Sequence, residues 1–596
     1  MMPFKTLTRK RLGLLATACL LSVALPAGSA WAQKVKNKTP AATQASGPVF
    51  NVDIPGIDAV GSNVDTETLR AIFSGKIVDN ADALAGLTAT SITIPTITLE
   101  TSKTVDGVDQ QATITFSDLV LKDVTNGNAT SVSLGGMEVQ AGDDASAEFG
   151  MLSANNFDIA GVLGIYGLVD AGGKTAIETI YTDFTFDGGT FTSPEIECTI
   201  GAMTVAEFKA RPLKYSMVDM MAMANALESD NADPSPETLG MALRMYADIF
   251  TAFESTPSQF GGINCSGVDE DDRAMTFQIA GMTMGGMSPG IYPEIVMEGL
   301  NVNVEGDGSF RLGKVTIKEM DFSGPIAVVE AAPAALDEAW FTDNARALMP
   351  EFGGFSFGNF AIDIADSEDI DMRIKASIGA FDLTLASYLN GIPTNLEMTA
   401  SNIVADLPTD EADLKPLIDM GITSIDAGFR VATRWNEADE TIAIDEVSIS
   451  GVDLATVKLA GTIANATSAL FDINEDSALA AAMGLAVSQI KLDVNDLGLS
   501  DVLIAGLAAD QGGDPATLRP VFAGLAQGTV VGMLAGAAEA RNVGMALNAF
   551  INGTAKNLMI QVTAKEQPGL GLLDFLAAEE DPTLLIGKVT IDASAN

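Results

Sequence analysis

Residues 91–99 read Ser-Ile-Thr-Ile-Pro-Thr-Ile-Thr-Leu, polar and apolar in turn and rich in β-branched side chains. Successive side chains of a strand point to opposite faces, so a period of two describes a strand with one wet and one apolar face. Ala112 to Val120 and Ser131 to Val139 repeat the texture, and Asp106-Gly107 between the first two runs is a hairpin signal. A chain built from such runs needs a sheet, and that sheet needs something against its apolar face.

The texture recurs as a longer unit. Phe149-Gly150-Met151-Leu152-Ser153 leading to Phe157-Asp158-Ile159-Ala160-Gly161 matches Leu312-Gly313-Lys314-Val315-Thr316 leading to Met320-Asp321-Phe322-Ser323-Gly324. A weaker copy runs from Ile444 through Val452-Asp453-Leu454-Ala455, and Phe357-Gly358-Asn359-Phe360 resembles the first half. The pattern predicts a strand, a turn or bulge, and a second strand. Recurrence of Asp158, Asp321 and Asp453 raises a repeated ligand site as one reading. A strand-end carboxylate bonding a nearby backbone N–H is the favoured one.

Helical segments interrupt the strands. Thr204 to Phe253 is rich in Met and Ala and reads as a helical insertion, with Ser235-Pro236-Glu237 as a helix start. Met217, Met220, Met221 and Ala224 fall at helical spacing and read as core packing rather than a binding stripe. Ala332 to Leu348 reads as a further helix. Ser500-Asp501 and Asp514-Pro515 open two more within a helical region at about 476–551. There Gly524, Gly528, Gly532 and Gly536 recur every fourth residue. Each glycine costs about 1 kcal/mol relative to alanine in a helix, so the spacing predicts a helix face lying close on its own sheet. Val521 to Ala538 carries no charge, which leaves a membrane-embedded glycine zipper as the alternative. Leu572 to Ala578 reads as helix, and Asn557 to Ala564 and Leu585 to Ile591 as closing strands.

The expected architecture is a β-rich α+β fold of extended, curved antiparallel sheet modules, internally repeated, with helical insertions packed on one face. The expected divisions are a leader at 1–32, a flexible segment at 33–48, a first module at 49–330 and a second at 331–596. The leader has Lys5, Arg9, Lys10 and Arg11 ahead of an apolar run, Leu12 to Leu25, then Pro26 and the small-residue site Ala30-Trp31-Ala32. That is a cleavable export signal, and the run is too short for the ~20 apolar residues that span a bilayer. The expectation is a periplasmic protein beginning at Gln33, with no transmembrane segment in the mature chain. A secreted or envelope-associated location is the alternative.

Composition narrows the function classes. The net charge of −46 becomes −50 once the four basic residues of the leader are removed. A field of that sign repels nucleic acid and anionic head groups, so neither is expected as a partner through electrostatics. The acidic knots Asp269-Glu270-Asp271-Asp272 and Asp366-Ser367-Glu368-Asp369 read as solvated loops. Hydrophobic residues make up 47% against 19% charged, enough apolar material for a large core or a lined groove. Histidine is absent, which removes the commonest general base, the Ser-His-Asp arrangement and the usual metal ligand. Cys198 and Cys265 are the two cysteines past the leader. They read as a disulfide or as two buried thiols, and they cannot build a structural zinc site.

No phosphate loop, dinucleotide fingerprint or nucleophile elbow occurs, so neither cofactor nor catalytic residue is nominated. Asp493-Val494-Asn495-Asp496-Leu497-Gly498 begins like a calcium loop, but Leu497 stands at a ligand position and Ile504 where a bidentate Glu is needed.

The leader, the repeated strand–Asp–strand unit, the Asp496-Leu497-Gly498-Leu499 lead into a helix and the closing strand after Pro568 together resemble a known group. They are similar to large uncharacterised exported proteins of alphaproteobacterial envelopes with AsmA-like, strand-rich repeats. The resemblance implies an envelope role, with an apolar, lipid-like ligand held in a groove between sheet and helices. A non-catalytic structural role, with envelope proteins as partners, is the alternative.

Overall fold

The computed structural model describes residues 49–596 except 106–107, 143–144, 171–172, 217–218, 221–222, 224–233, 270, 366–372, 408–417, 419–420, 535–537 and 581–582. The leader, Asp106-Gly107, Met217, Met221, Ala224, Glu270, the 366–369 knot and Gly536 therefore lie outside the described residues. The fold is β-rich α+β, with extended antiparallel sheet and helical insertions.

Contacts divide the chain into two compact units. The first runs to Pro293 and takes in Val329–Glu338; the second comprises Glu294–Val328 and Ala339–Asn596. The strand pair Ile295–Val304 and Gly308–Ile317, placed in the first module from sequence, thus sits with the second unit.

In the first unit, the long hairpin of Ala89–Val105 and Val108–Thr125 carries the buried core. Ile92, Ile94, Leu121 and Val124 pack with Leu69, Ile72, Leu84 and Leu87 from the preceding helical turns. The Thr66–Phe73 helix begins where the Asp65 carboxylate accepts from the Thr68 N–H. Beyond the hairpin, strands pair in sequence as an antiparallel meander, and each is broken near its middle. Asn128–Leu134 passes into Gly136–Ala141, Ala145–Phe149 into Leu152–Asp158, and Glu178–Phe186 into Gly189–Thr192. Ile196–Ile200 passes into Met203–Ala210, and Ser258–Phe260 into Ile263–Val268. The breaks align across the sheet because they are glycines that neighbouring backbones crowd. A Cβ on Gly188, at φ +90°, would lie 2.3 Å from the Ile200 carbonyl oxygen, and one on Gly201 would lie 2.3 Å from the Gly261 carbonyl carbon.

Among the described residues the second unit carries a run of eleven strands, each paired with the next, besides three two-residue strands. The eleven are Ile295–Val304, Gly308–Ile317, Gly354–Ala365, Arg373–Leu389, Ile392–Asp406, Ser424–Asn436, Thr441–Gly451, Ala455–Ala464, Ala486–Asp496, Asn557–Ala564 and Val589–Ala595. Every pairing is antiparallel. Bulges bend the strands: Asn359 and Asn402 take φ of 53° and 51°, each lying against a glycine of the adjacent strand, Gly313 and Gly379. Three helices, Leu499–Gln511, Pro515–Met533 and Ala538–Ile551, separate the ninth strand from the tenth. Leu572–Glu580 and Thr583–Ile586 precede the last strand.

Three helical expectations need correction. The region at about 476–551 contains the strand Ala486–Asp496, which pairs on both sides within the sheet. The Thr204–Phe253 insertion is helical at Pro236–Phe250, capped by Ser235 as expected, but Met203–Ala210 is a strand paired with Glu178–Phe186. Its Met and Ala mimic helix composition, while cross-strand neighbours such as Phe184 and Tyr181 decide the conformation. The expected Ala332–Leu348 helix is reduced to Glu338–Asn344, and a separate helix, Ser323–Ala331, ends just before the expected start. Pro333 lies at the break, where it has no N–H to continue the ladder.

Candidate functional site

Residues directly opposite in an antiparallel pair share a face, so the register tells which side chains stand together. From the third strand of the second unit, one row runs Phe357, Phe381, Ala400, Phe429, Ile449, Val457, Val494 and Leu558. Rows beside it run Ile362, Ala376, Ala405 and Ile425, or Val431, Val447, Leu459, Leu492 and Ile560. All are apolar. Phe357 stacks on Phe381 with ring centroids 5.1 Å apart, and Phe355 on the same ring at 5.3 Å.

The row one residue away is its opposite in character: Ser356, Asp382, Thr399, Arg430, Ser448, Lys458 and Asp493. On that face Arg430 bridges Glu397 at 2.9 Å and Glu446 at 3.3 Å, and Lys458 meets Glu446 at 2.6 Å. The Lys458 hydrogen bond, then that of Ser448, holds the Glu446 carboxyl below its usual range. The polar face is thus self-paired. The apolar face is not covered to match: Ile449 is 61% exposed and Ile374 45%. The two buried hydrophobic clusters found among the described residues both lie in the first unit.

Helices cover this face at the C-terminal end. There a cavity of about 350 Å³ opens between the sheet residues Val487, Ile490, Val562, Ala564, Val589 and Ile591 and the helical residues Met533, Phe575, Leu585 and Ile586. Ser488 is the polar residue in the lining. The roof itself shows apolar groups to the outside, with Val521 60%, Leu525 64% and Leu573 78% exposed. No helix among the described residues is long and apolar enough to cross a membrane.

Cys198 and Cys265 are joined. They stand directly opposite in neighbouring strands, Cα atoms 4.0 Å apart, on the same face as Phe191 and Phe277. The glycine helix is a correction. Gly524, Gly528 and Gly532 are exposed, and a Cβ on any of them would meet nothing within 4 Å. The close approach belongs to Gly544, where a Cβ would lie 3.1 Å from Val531 and 3.2 Å from Gln527. The Pro515–Met533 helix therefore meets Ala538–Ile551 through its Gln527 and Val531 side, and the four-residue glycine spacing lies away from that contact. Gly528→Ala with Gly532→Ala should then raise stability by about 0.5–1 kcal/mol per site, read as a higher urea midpoint. A lowered midpoint would mean that something does approach that face.

Two of the recurrent aspartates, Asp158 and Asp321, serve the backbone. Asp158 accepts from the Gly161 N–H at 2.8 Å and starts the Ile159–Ile165 helix, and Asp321 accepts from the Ser323 N–H at 2.7 Å. Asp453 sits at φ 58°. The sequence that begins like a calcium loop uses its carboxylate internally. Buried Asp496 accepts from the Ser500 N–H at 3.0 Å and hydroxyl at 2.6 Å, from the Gly498 N–H at 3.2 Å, and from Lys556 Nζ at 3.0 Å. Burial alone would raise its pKa, but these donors outweigh it and hold it at about 2. No acidic or cysteine cluster with metal-holding geometry occurs among the described residues.

The apolar face and its cavity were not nominated from sequence. The signal was present in the alternation of Ala486–Asp496 and Asn557–Ala564, but membership of one face depends on pairings that only the fold supplies. Residues 448–596, about a quarter of the chain, match a family described only as an uncharacterised protein. That stretch contains every residue lining the cavity. No curated protein and no solved structure matches the chain.

Proposed function

We propose that this is an exported, periplasmic envelope protein that binds an apolar, lipid-like ligand, holding its hydrocarbon against the apolar face of the second unit's sheet. The observation that carries the reading is the row from Phe357 to Leu558, apolar on eight successive strands while the alternate row is polar and ion-paired. Contiguous exposed apolar surface beyond a few hundred Å² marks an interaction site in proteins that stay in water. The reading involves no catalysis, and the acidic surface provides solubility rather than recognition.

Purification from periplasm without detergent, followed by organic extraction and mass spectrometry, should return acyl-chain lipid at stoichiometric yield. Repeated recovery of folded, empty protein would overturn the lipid reading. Crosslinked envelope proteins on the same face would then select the scaffold alternative.

A further inference from the structure

We propose that the helix-roofed cavity takes the tail of a single-chain anionic amphiphile, whose carboxylate or phosphate head is met by Lys565 and Lys588 at the rim. This deepens the lipid-holding reading and rests on it.

The lining decides which part of a ligand enters. Apart from Ser488 the walls are hydrocarbon, so a headgroup carried inside would lose its water and find almost no partner. An apolar cavity of ~150 Å³ accepts a benzene-sized ligand. By that scale about 350 Å³ holds roughly a dozen carbons, one tail rather than two.

The rim decides the head. Ala564 and Val589 both line the cavity and stand opposite one another in the last strand pair. One step further along each strand in the same direction come Lys565 and Lys588, tied by the Lys565 N–H donating to the Lys588 carbonyl at 2.9 Å. Both side chains are exposed. Lys588 Nζ pairs with Asp574. Lys565 Nζ donates to the Gly587 carbonyl at 3.2 Å and has no carboxylate partner among the described residues, although exposed Glu566 follows it in the chain. In a chain of net charge −46, Lys565 offers an ammonium without a carboxylate partner among the described residues at the end of this strand pair, beside Lys588, which a charged head would share with Asp574.

The test is calorimetric titration of the delipidated mature chain with octanoate, decanoate, dodecanoate, myristate and palmitate below their micelle concentrations. Affinity should rise about fourfold per methylene up to about dodecanoate and flatten beyond it. Dodecanoate or dodecyl phosphate should bind several-fold more tightly than dodecanol, and the tighter of the two names the head. Lys565→Gln with Lys588→Gln, both at exposed positions, should abolish the preference for the charged ligands. Ala564→Phe should weaken dodecanoate at least tenfold with unchanged circular dichroism. Should that variant unfold, the chain-length series and the lysine pair still decide. Equal binding of dodecanol and dodecanoate overturns the assignment of the head to the lysine pair, and a folded Ala564→Phe protein that binds normally overturns the cavity assignment, even where extraction has returned lipid. Tight dodecanoate binding that Ala564→Phe removes, in protein that extracts empty, supports the cavity while the wider face reading fails.

Discussion

Asp496→Ala is expected to lower the stability of the second unit by about 3 kcal/mol, because charge-assisted hydrogen bonds are worth ~1.5–3 kcal/mol each and several are lost together. The carboxylate ends the ninth strand and gathers Gly498, Ser500 and Lys556 around the start of the Leu499–Gln511 helix. Lys556 is half exposed and regains water when its partner goes, which keeps the loss below that of a fully buried pair. The same group makes stability acid-sensitive. Its folded pKa of about 2 lies below the ordinary 3.8, so its contribution is complete above that ordinary value and disappears as pH falls through the folded one. The part lost is about 2 kcal/mol. Urea midpoints of wild type and Asp496→Asn, compared from about pH 5 down to about pH 2, should converge as the acid limit is approached. A gap that stays constant over that range would show that the charge contributes nothing.

Reduction of the Cys198–Cys265 bond is the second large effect. The bond closes a loop 67 residues apart in sequence, and closure of that length is worth about 2–4 kcal/mol through the unfolded chain. Cys265 is buried and both sulfurs stand in the row of Phe191 and Phe277, so Cys198→Ser with Cys265→Ser adds the cost of poorly satisfied hydroxyls. Alanine at both positions separates the two contributions. Wild type with reductant and the double alanine variant should fall to similar midpoints, with the double serine variant lower still. Indifference of the oxidised protein to reductant would remove the argument.

What was legible in the chain was local. Ser235 and Asp514 cap helices that begin where the sequence places them, and Asn557–Ala564 is a strand with the expected bounds. What escaped was non-local or out of phase. In Gly354–Ala365 the apolar face is Phe355, Phe357, Phe360 and Ile362, an alternation that slips by one residue at Asn359. A strict period of two loses the face at that point. The cavity depends on Ala486–Asp496 and Val589–Ala595 flanking the same strand across about a hundred residues of chain. The glycine spacing misled for a different reason: a run of small residues is consistent with close packing and equally with an exposed face that nothing touches.

The second sheet grows one hairpin at a time, each strand adding ~4.8 Å across the hydrogen-bonding direction. With Met297 and Val315 before Phe357 and Ala595 after Leu558, the apolar row crosses eleven strands in ten such steps, so measured along the sheet the strip is about 50 Å long. One hydrocarbon tail spans about half of a ~30 Å bilayer core, or ~15 Å. A strip of this length has capacity for about three tails placed end to end. Stoichiometry thus becomes a property of strand number, altered by adding or deleting hairpins while every remaining contact in the fold is kept.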